Sequence, residues 1–218
     1  MDTGRLAAES EALLAKGLTA VKLRLGYESL EQDLAAVATV RRHVGESIAI
    51  MVDYNQALTL AEALRRGRRL DDCGLVWIEE PIAHDDRRGY ARLAQALRTP
   101  LQFGENLNGP EALFAAVSDH PLELAMPDVA RIGGVTGWMQ SAGIAAAVGL
   151  PLSSHLMPEL SAQLLCATPT RHWLEYFDWA DAFLEEPLRI ADGKVHPGHS
   201  PGSGMRWDQD RLARLDVL

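Results

Sequence analysis

An α/β fold, built as a parallel (β/α) barrel, is predicted for this chain of 218 residues by three observations. Segments of helical period alternate along the chain with short apolar runs of strand length. The strand starts recur every 20 to 30 residues, the rhythm of βα units joined by right-handed crossovers. Polar residues stand at the C-terminal ends of many different strands, and three of them, Asp53, Glu79 and Glu105, follow one another at intervals of 26 residues. A barrel collects such strand ends in a ring, whereas an open doubly wound sheet concentrates them at one switch point.

Taken in order, LAAESEALLAKG (6–17) is an amphipathic helix ended by glycine, and TAVKLRL after it is the first strand. A helix over 30–44 leads to a strand over 47–53, and a helix over 60–70 to a strand over 75–79. The next pairs are helix 89–97 with strand 101–104, and helix 110–117 with strand 122–126. Helix 136–148 then precedes strand 150–154, and helix 158–167 precedes a strand around 173–175. The count is seven strands, one fewer than a closed (β/α)8 barrel, and the chain starts on a helix. The tail over 189–218 is rich in Gly and Pro and reads as irregular structure with a short terminal strand or helix. An incomplete, (β/α)7β-like barrel in a single domain over 1–218 is therefore expected, either open, completed by a neighbouring chain, or truncated.

Composition narrows the function classes. A hydrophobic content of 47% and a charged content of 23% are ordinary for a globular protein. The net charge of −9 argues against nucleic acid or an anionic membrane as partner. The most apolar stretch, 142–152, is too short to span a bilayer and contains Gly149 and Pro151. Two distant cysteines, Cys73 and Cys166, give no disulfide framework, so a cytoplasmic location is expected.

The chemistry sits at the strand ends. Asp53 ends IAIMVD, Glu79 ends GLVWIE and Glu105 ends PLQFGE. A single acid at a strand end caps a helix or makes a surface ion pair; three at the period of a strand–helix unit need compensation for buried charge, and a divalent cation with oxygen ligands supplies it. Glu80 competes with Glu79, since strand alternation does not say which points inward. Asp128 ends LAMPD, His155 ends LPLSSH and Glu175 ends HWLE. Lys22 and Arg24 are two apart, on one side of their strand. Together they suggest a metal and a cation that hold a carboxylate substrate and stabilise the enediolate left when its α-proton departs. His155 is the base, Asp128 orients it, Lys22 neutralises substrate charge, and Glu175 in its neutral form donates a hydrogen bond to the same oxygen. The remaining histidines, His43, His84, His120, His172, His196 and His199, read as residues of turns or tails without a role, and Trp138, Trp173 and Trp179 as packing.

The runs VKLRLGY, MVDYNQ, WIEEP, GEN, MPDVARIGGVTGW and SSHLMPELSAQLL, in this order and spacing, resemble the catalytic barrel of the mandelate racemase group of the enolase superfamily. The resemblance runs from Leu6 to the C-terminus. It implies that Asp53, Glu79 and Glu105 are the ligands of Mg²⁺, with Glu79 preferred over Glu80, and that His155 with Asp128 is the base dyad. It further implies that Lys22 and Glu175 contact the substrate carboxylate and that Asn55 reaches the substrate hydroxyl.

Two departures follow. The family's racemases carry a second lysine base where this chain has Arg24, and arginine stays protonated and anchors anions instead. The relatives' N-terminal capping domain and first barrel strand are not within this sequence, and the tail over 189–218 would normally return to that cap. Apolar surface and strand edges left exposed predict self-association into a homo-oligomer. The resemblance thus implies Mg²⁺-dependent α-proton abstraction from a 2-hydroxy acid, with racemisation as the leading outcome. Dehydration of an acid sugar by His155 alone is the alternative, and an inactive or partner-dependent fragment is the non-enzymatic one.

Overall fold

The first four helices begin where a side-chain oxygen takes up an orphan N–H at the first turn. Asp2 accepts from the Arg5 N–H at the start of α1 (Thr3–Ala15), and Ser29 and Gln32 form a reciprocal capping box at the start of α2 (Leu30–Val44). Thr59 caps α3 (Leu60–Leu70) through the Glu62 N–H, and Asp86 caps α4 (Arg87–Ala96) through the Gly89 N–H. Caps of this kind are worth about 1 kcal/mol each. The computed structural model describes residues 2–119, 123–198 and 200–214. They divide into two units, Met1–Gly104 with Ala115–Ala125, and Glu105–Phe114 with Met126–Leu218.

In the first unit the strands are β1 (Ala20–Arg24), β2 (Ala49–Asp53), β3 (Ile78–Glu79), β4 (Leu101–Phe103) and β5 (Leu124–Ala125). They pair in parallel and in chain order. The register sets Arg24 beside Asp53, Asp53 beside Glu79 and Glu79 beside Gln102, so the strand ends are level. Ile50 and Val52 on one face of β2 are fully buried, as are Ala36 and Val40 of α2, Leu70 of α3 and Leu93 of α4, and Met51 on the other face is buried too, as a parallel strand covered on both faces requires.

A buried polar clamp ties the loops above this core. Asp33 of α2 accepts the N–H groups of Gly26 and Tyr27 (both 3.0 Å), the Tyr54 hydroxyl (2.7 Å) and Arg66 Nη1 (2.7 Å). Arg66 also donates to the Tyr27 carbonyl and to Glu62. Burial and then the acceptor Asp33 hold the Tyr54 hydroxyl far above its ordinary value, so it acts as a donor.

In the second unit, α6 (Gly134–Val148) leads to β6 (Leu152–Ser154), and α7 (Pro158–Cys166) leads to β7 (Arg171–Leu174), which pairs in parallel with β6. Trp138 of α6 is fully buried and donates its indole N–H to Thr168. The helix α5 (Pro110–Asp119) follows the loop after β4.

The α/β class and seven parallel strands are those expected, counted among the described residues. Strand edges differ by a few residues. The run 75–79 forms a strand only at Ile78–Glu79, although Val76 N–H still donates to the Ile50 carbonyl. Leu122, the expected start of β5, lies outside the described residues, as do His120 and His199. The tail over 189–218 carries a hairpin besides the short terminal element expected. A one-turn 3₁₀ helix (Asp181–Phe183) is followed by an antiparallel hairpin of β8 (Arg189–Ala191) and β9 (Lys194–His196). A short helix, α8 (Gln209–Leu212), comes last. The hairpin turns on Asp192 and Gly193, both at positive φ (51° and 69°), the Asp-Gly signature of a two-residue turn.

Candidate active site

In the first unit the spacing of Lys22 and Arg24 does what a strand's two-residue period requires: both reach strand-end carboxylates. Lys22 Nζ donates to both oxygens of Glu79, at 3.0 and 2.9 Å. Arg24 Nη2 lies 3.2 Å from Asp53 Oδ2. The Arg24 side chain is 61% exposed, so this ion pair contributes at most about 1 kcal/mol. Glu79 is 1% exposed, and truncating its Lys22 partner would leave a buried charge uncompensated at a cost of about 3–5 kcal/mol.

Two residues around these carboxylates were not singled out from sequence. Trp77 donates its indole N–H to Glu79 Oε2 at 3.2 Å; its position two residues earlier on the same strand face was the available signal. Gln56 accepts the His84 N–H at 3.0 Å and lies 3.1 Å from its Nδ1, joining the loops after β2 and β3, so His84 is a brace and not a bystander. Asn55 and Gln56 both take left-handed backbone (φ 44° and 64°), which costs L-residues about 1–2 kcal/mol each. The kink turns the Asn55 N–H onto Asp53 Oδ1 at 2.7 Å and the Gln56 N–H onto the Glu80 carbonyl. Glu80 itself is fully buried at φ 34°, and after burial its charge is the main cause that raises the Tyr90 hydroxyl.

The second unit gathers Glu105, Asp128, His155 and Glu175. Asp128 pairs with His155 through an isolated parallel bridge, and His155 N–H donates to the Pro127 carbonyl. The side chains complete the pairing, with His155 Nδ1 2.9 Å from Asp128 Oδ2. Asp128 Oδ1 accepts the N–H groups of Ala130 and Arg131, at 2.8 and 3.1 Å. Burial works against the Asp128 charge, but His155 and these two N–H groups outweigh it and hold the carboxyl below its ordinary value. His155 Nε2 lies 3.1 Å from Glu105 Oε2 and 4.0 Å from Glu175 Oε2. Immediately after His155, Leu156 and Met157 are left-handed (φ 49° and 45°). That turn aims the Leu156 N–H at Glu175 Oε2, 2.8 Å away, and the Leu156 carbonyl is held by the Ser161 hydroxyl.

Among the described residues no group of three or more His, Cys, Asp or Glu side chains has the spacing of a formed metal site. The donor chemistry nevertheless fits a hard divalent cation. Asp53 and Glu79 are buried, adjacent in register, and offer only oxygen, with cationic side chains beside them. Two bland expectations need adjustment: Trp179 is 67% exposed and stacks on Phe177, whereas His43 and His172 lie within α2 and β7, not in turns.

Residues 5–211 match the family model described as Enolase C-terminal domain-like. The chain is 35% identical to a 3,6-anhydro-alpha-L-galactonate cycloisomerase of Streptomyces coelicolor, over 97% of this chain and 59% of that protein. It is 32% identical to the L-talarate/galactarate dehydratase of Salmonella typhimurium, over 88% of this chain and 50% of that protein. The crystal structure of an enolase from alpha proteobacterium bal199 with bound magnesium superposes with a TM-score of 0.94 at 44% identity, covering 98% of this chain and 60% of that one. A Bradyrhizobium enolase complexed with magnesium and mandelic acid gives 0.88 at 40% identity, covering 95% and 58%. The chain thus spans about half to three-fifths of the length of the proteins it matches. No helix among the described residues is long and apolar enough to cross a membrane.

Proposed function

Since the chain belongs to the Enolase C-terminal domain-like family, we propose that it carries the proton-abstracting machinery of a magnesium-dependent enzyme acting on 2-hydroxy carboxylates, and that its outcome is dehydration of an acid sugar. Asp53, Glu79 and Glu105 are the residues that would hold magnesium. Once bound, the ion supplies fixed positive charge against the substrate carboxylate, which stabilises the charge that grows as the α-proton leaves.

The His155–Asp128 pair carries this reading. With Nδ1 held by Asp128 at 2.9 Å, Nε2, which faces Glu105 Oε2 at 3.1 Å, is the atom that would take a proton, and the Asp128 carboxylate would stabilise the imidazolium that results. Lys22 would neutralise the substrate carboxylate, Glu175 would hydrogen-bond it, and Asn55, exposed in the turn after β2, would contact the 2-hydroxyl. In dehydration His155 removes the α-proton and returns it to the departing β-hydroxyl, which leaves as water; the enol then becomes the keto acid. One base suffices for both steps. Arg24 stays charged and supports anion binding, not proton removal on the opposite face. The Salmonella relative is a dehydratase of this substrate class. Racemisation remains the second reading, favoured by the GGVTGW and SSHL runs and by the Bradyrhizobium neighbour that holds mandelic acid.

The test is incubation with Mg²⁺ and a panel of 2-hydroxy acids, including L-talarate, galactarate and mandelate, in D₂O, followed by NMR. Conversion to a keto acid supports dehydration, and α-deuteration with inversion supports racemisation instead. His155→Asn is expected to lower either rate by about 10²–10⁴-fold. Magnesium binding with no exchange in any acid overturns the enzymatic reading of this chain and leaves an inactive or partner-dependent fragment.

A further inference from the structure

We infer that Arg131 is a positioning residue that fixes the carboxylate of Glu105 through the side-chain amide of Asn106; its consequence for magnesium rests on the metal reading given above. Arg131 is exposed, so packing does not dictate where its guanidinium goes. Three of its groups are nonetheless engaged. Its N–H donates to Asp128 Oδ1 at 3.1 Å, its carbonyl accepts the Gly109 N–H at 3.1 Å, and Nη1 donates to Asn106 Oδ1 at 2.8 Å. Asn106 Nδ2 in turn donates to Glu105 Oε1 at 3.3 Å.

Donor and acceptor types make this chain directional. A guanidinium has only donors, so it meets the carbonyl end of the Asn106 amide and turns the NH₂ end toward Glu105. The flipped amide would set NH₂ against guanidinium and carbonyl against carboxylate, two repulsions in place of two hydrogen bonds. With Oε1 so occupied, Glu105 Oε2 faces His155 Nε2 at 3.1 Å. His155 Nδ1 is held by Asp128, whose Oδ1 accepts from Arg131. The ring closes on itself, so one residue adjusts the loop carrying Glu105 and the loop carrying Asp128 together.

A purely electrostatic role for Arg131 gives the opposite sign. Deleting a nearby cation would strengthen binding of another cation, whereas loss of an orienting partner weakens it, typically by 10–100-fold for groups behind a metal ligand. Arg131→Met and Arg131→Lys in the full chain separate the two, with thermal unfolding as the check on folding. Proton exchange of the Asn106 side-chain amide, assigned by its disappearance in Asn106→Asp, reads the brace without metal, and calorimetric titration with Mg²⁺ reads its consequence. Arg131→Met is expected to lose the amide protection and to raise the magnesium Kd by about tenfold. Arg131→Lys, which keeps one donor and the charge, recovers most of both. Unchanged amide protection in Arg131→Met, or a magnesium Kd that stays level or falls, would overturn the inference. If the amide behaves as expected but the wild type binds no magnesium, the brace stands and the metal reading fails.

Discussion

Glu159, at the start of α7, is a carboxyl that the proposed chemistry does not use, and burial raises it above the ordinary carboxylate range, with Asp181 pushing the same way. An acid raised in the folded state lends stability that is full below its unfolded value, about pH 4.3, and lost as pH rises through the folded value. Glu159→Gln removes the titration and is expected to raise the thermal midpoint at pH 7. The gain shrinks as pH falls toward 4.5; a pH-independent difference between the two proteins would show that ionisation is not the cause. At this scale the sequence was informative wherever spacing carried the signal. The interval from Asp53 to Glu79 is a register interval, and the two are neighbours across β2 and β3. The choice between Glu79 and Glu80 lay beyond it, because a left-handed residue at Glu80 interrupts the alternation on which such an argument depends. Arg131 and Asn106 lie within the MPDVARIGGVTGW and GEN runs without a role visible in sequence, since only the fold brings a loop after β4 onto a loop after β5.

Among the elements, α6 shows how a short run of glycines sets a helix in place. Gly133 and Gly134 are both left-handed, and a Cβ on Gly137 would be driven into the Ile132 carbonyl, a backbone atom with no rotamer through which to retreat. Gly137→Ala is therefore expected to destabilise by about 1–3 kcal/mol, measured by denaturant unfolding, despite alanine's better helix propensity. A neutral or stabilising result would mean that α6 shifts freely along its axis. Helix limits were legible from period: 30–44 and 60–70 are α2 and α3 as predicted. Strand limits were not, because a buried parallel strand and the turn residues before it are equally apolar. The β8–β9 hairpin had its Asp-Gly signal in plain view, masked by the Gly and Pro content around it.

For the molecule as a whole, the fold class was legible because βα units repeat one pattern, whereas the particular acid was not, because strand-end acids and cations suit carboxylates as a class. Magnesium at a hundred times its Kd is expected to stabilise the chain by about 2.7 kcal/mol, reversed by EDTA and abolished in Asp53→Asn. Calorimetric scans with and without the ion decide it; identical midpoints at saturating Mg²⁺ would count against the three-carboxylate site. The Asp33 clamp bears on how such a protein diversifies. Its four hydrogen bonds fasten both the turn after β1 and Tyr54, so neither segment accepts a longer or shorter loop without stranding a buried carboxylate against Arg66. On the reading proposed above, a change of acid substrate is expected to come from exchanging side chains at fixed backbone positions such as Arg24 and Asn55. Insertion and deletion at these turns are expected to cost stability, so a library built on the proposed site starts from saturation at those two positions.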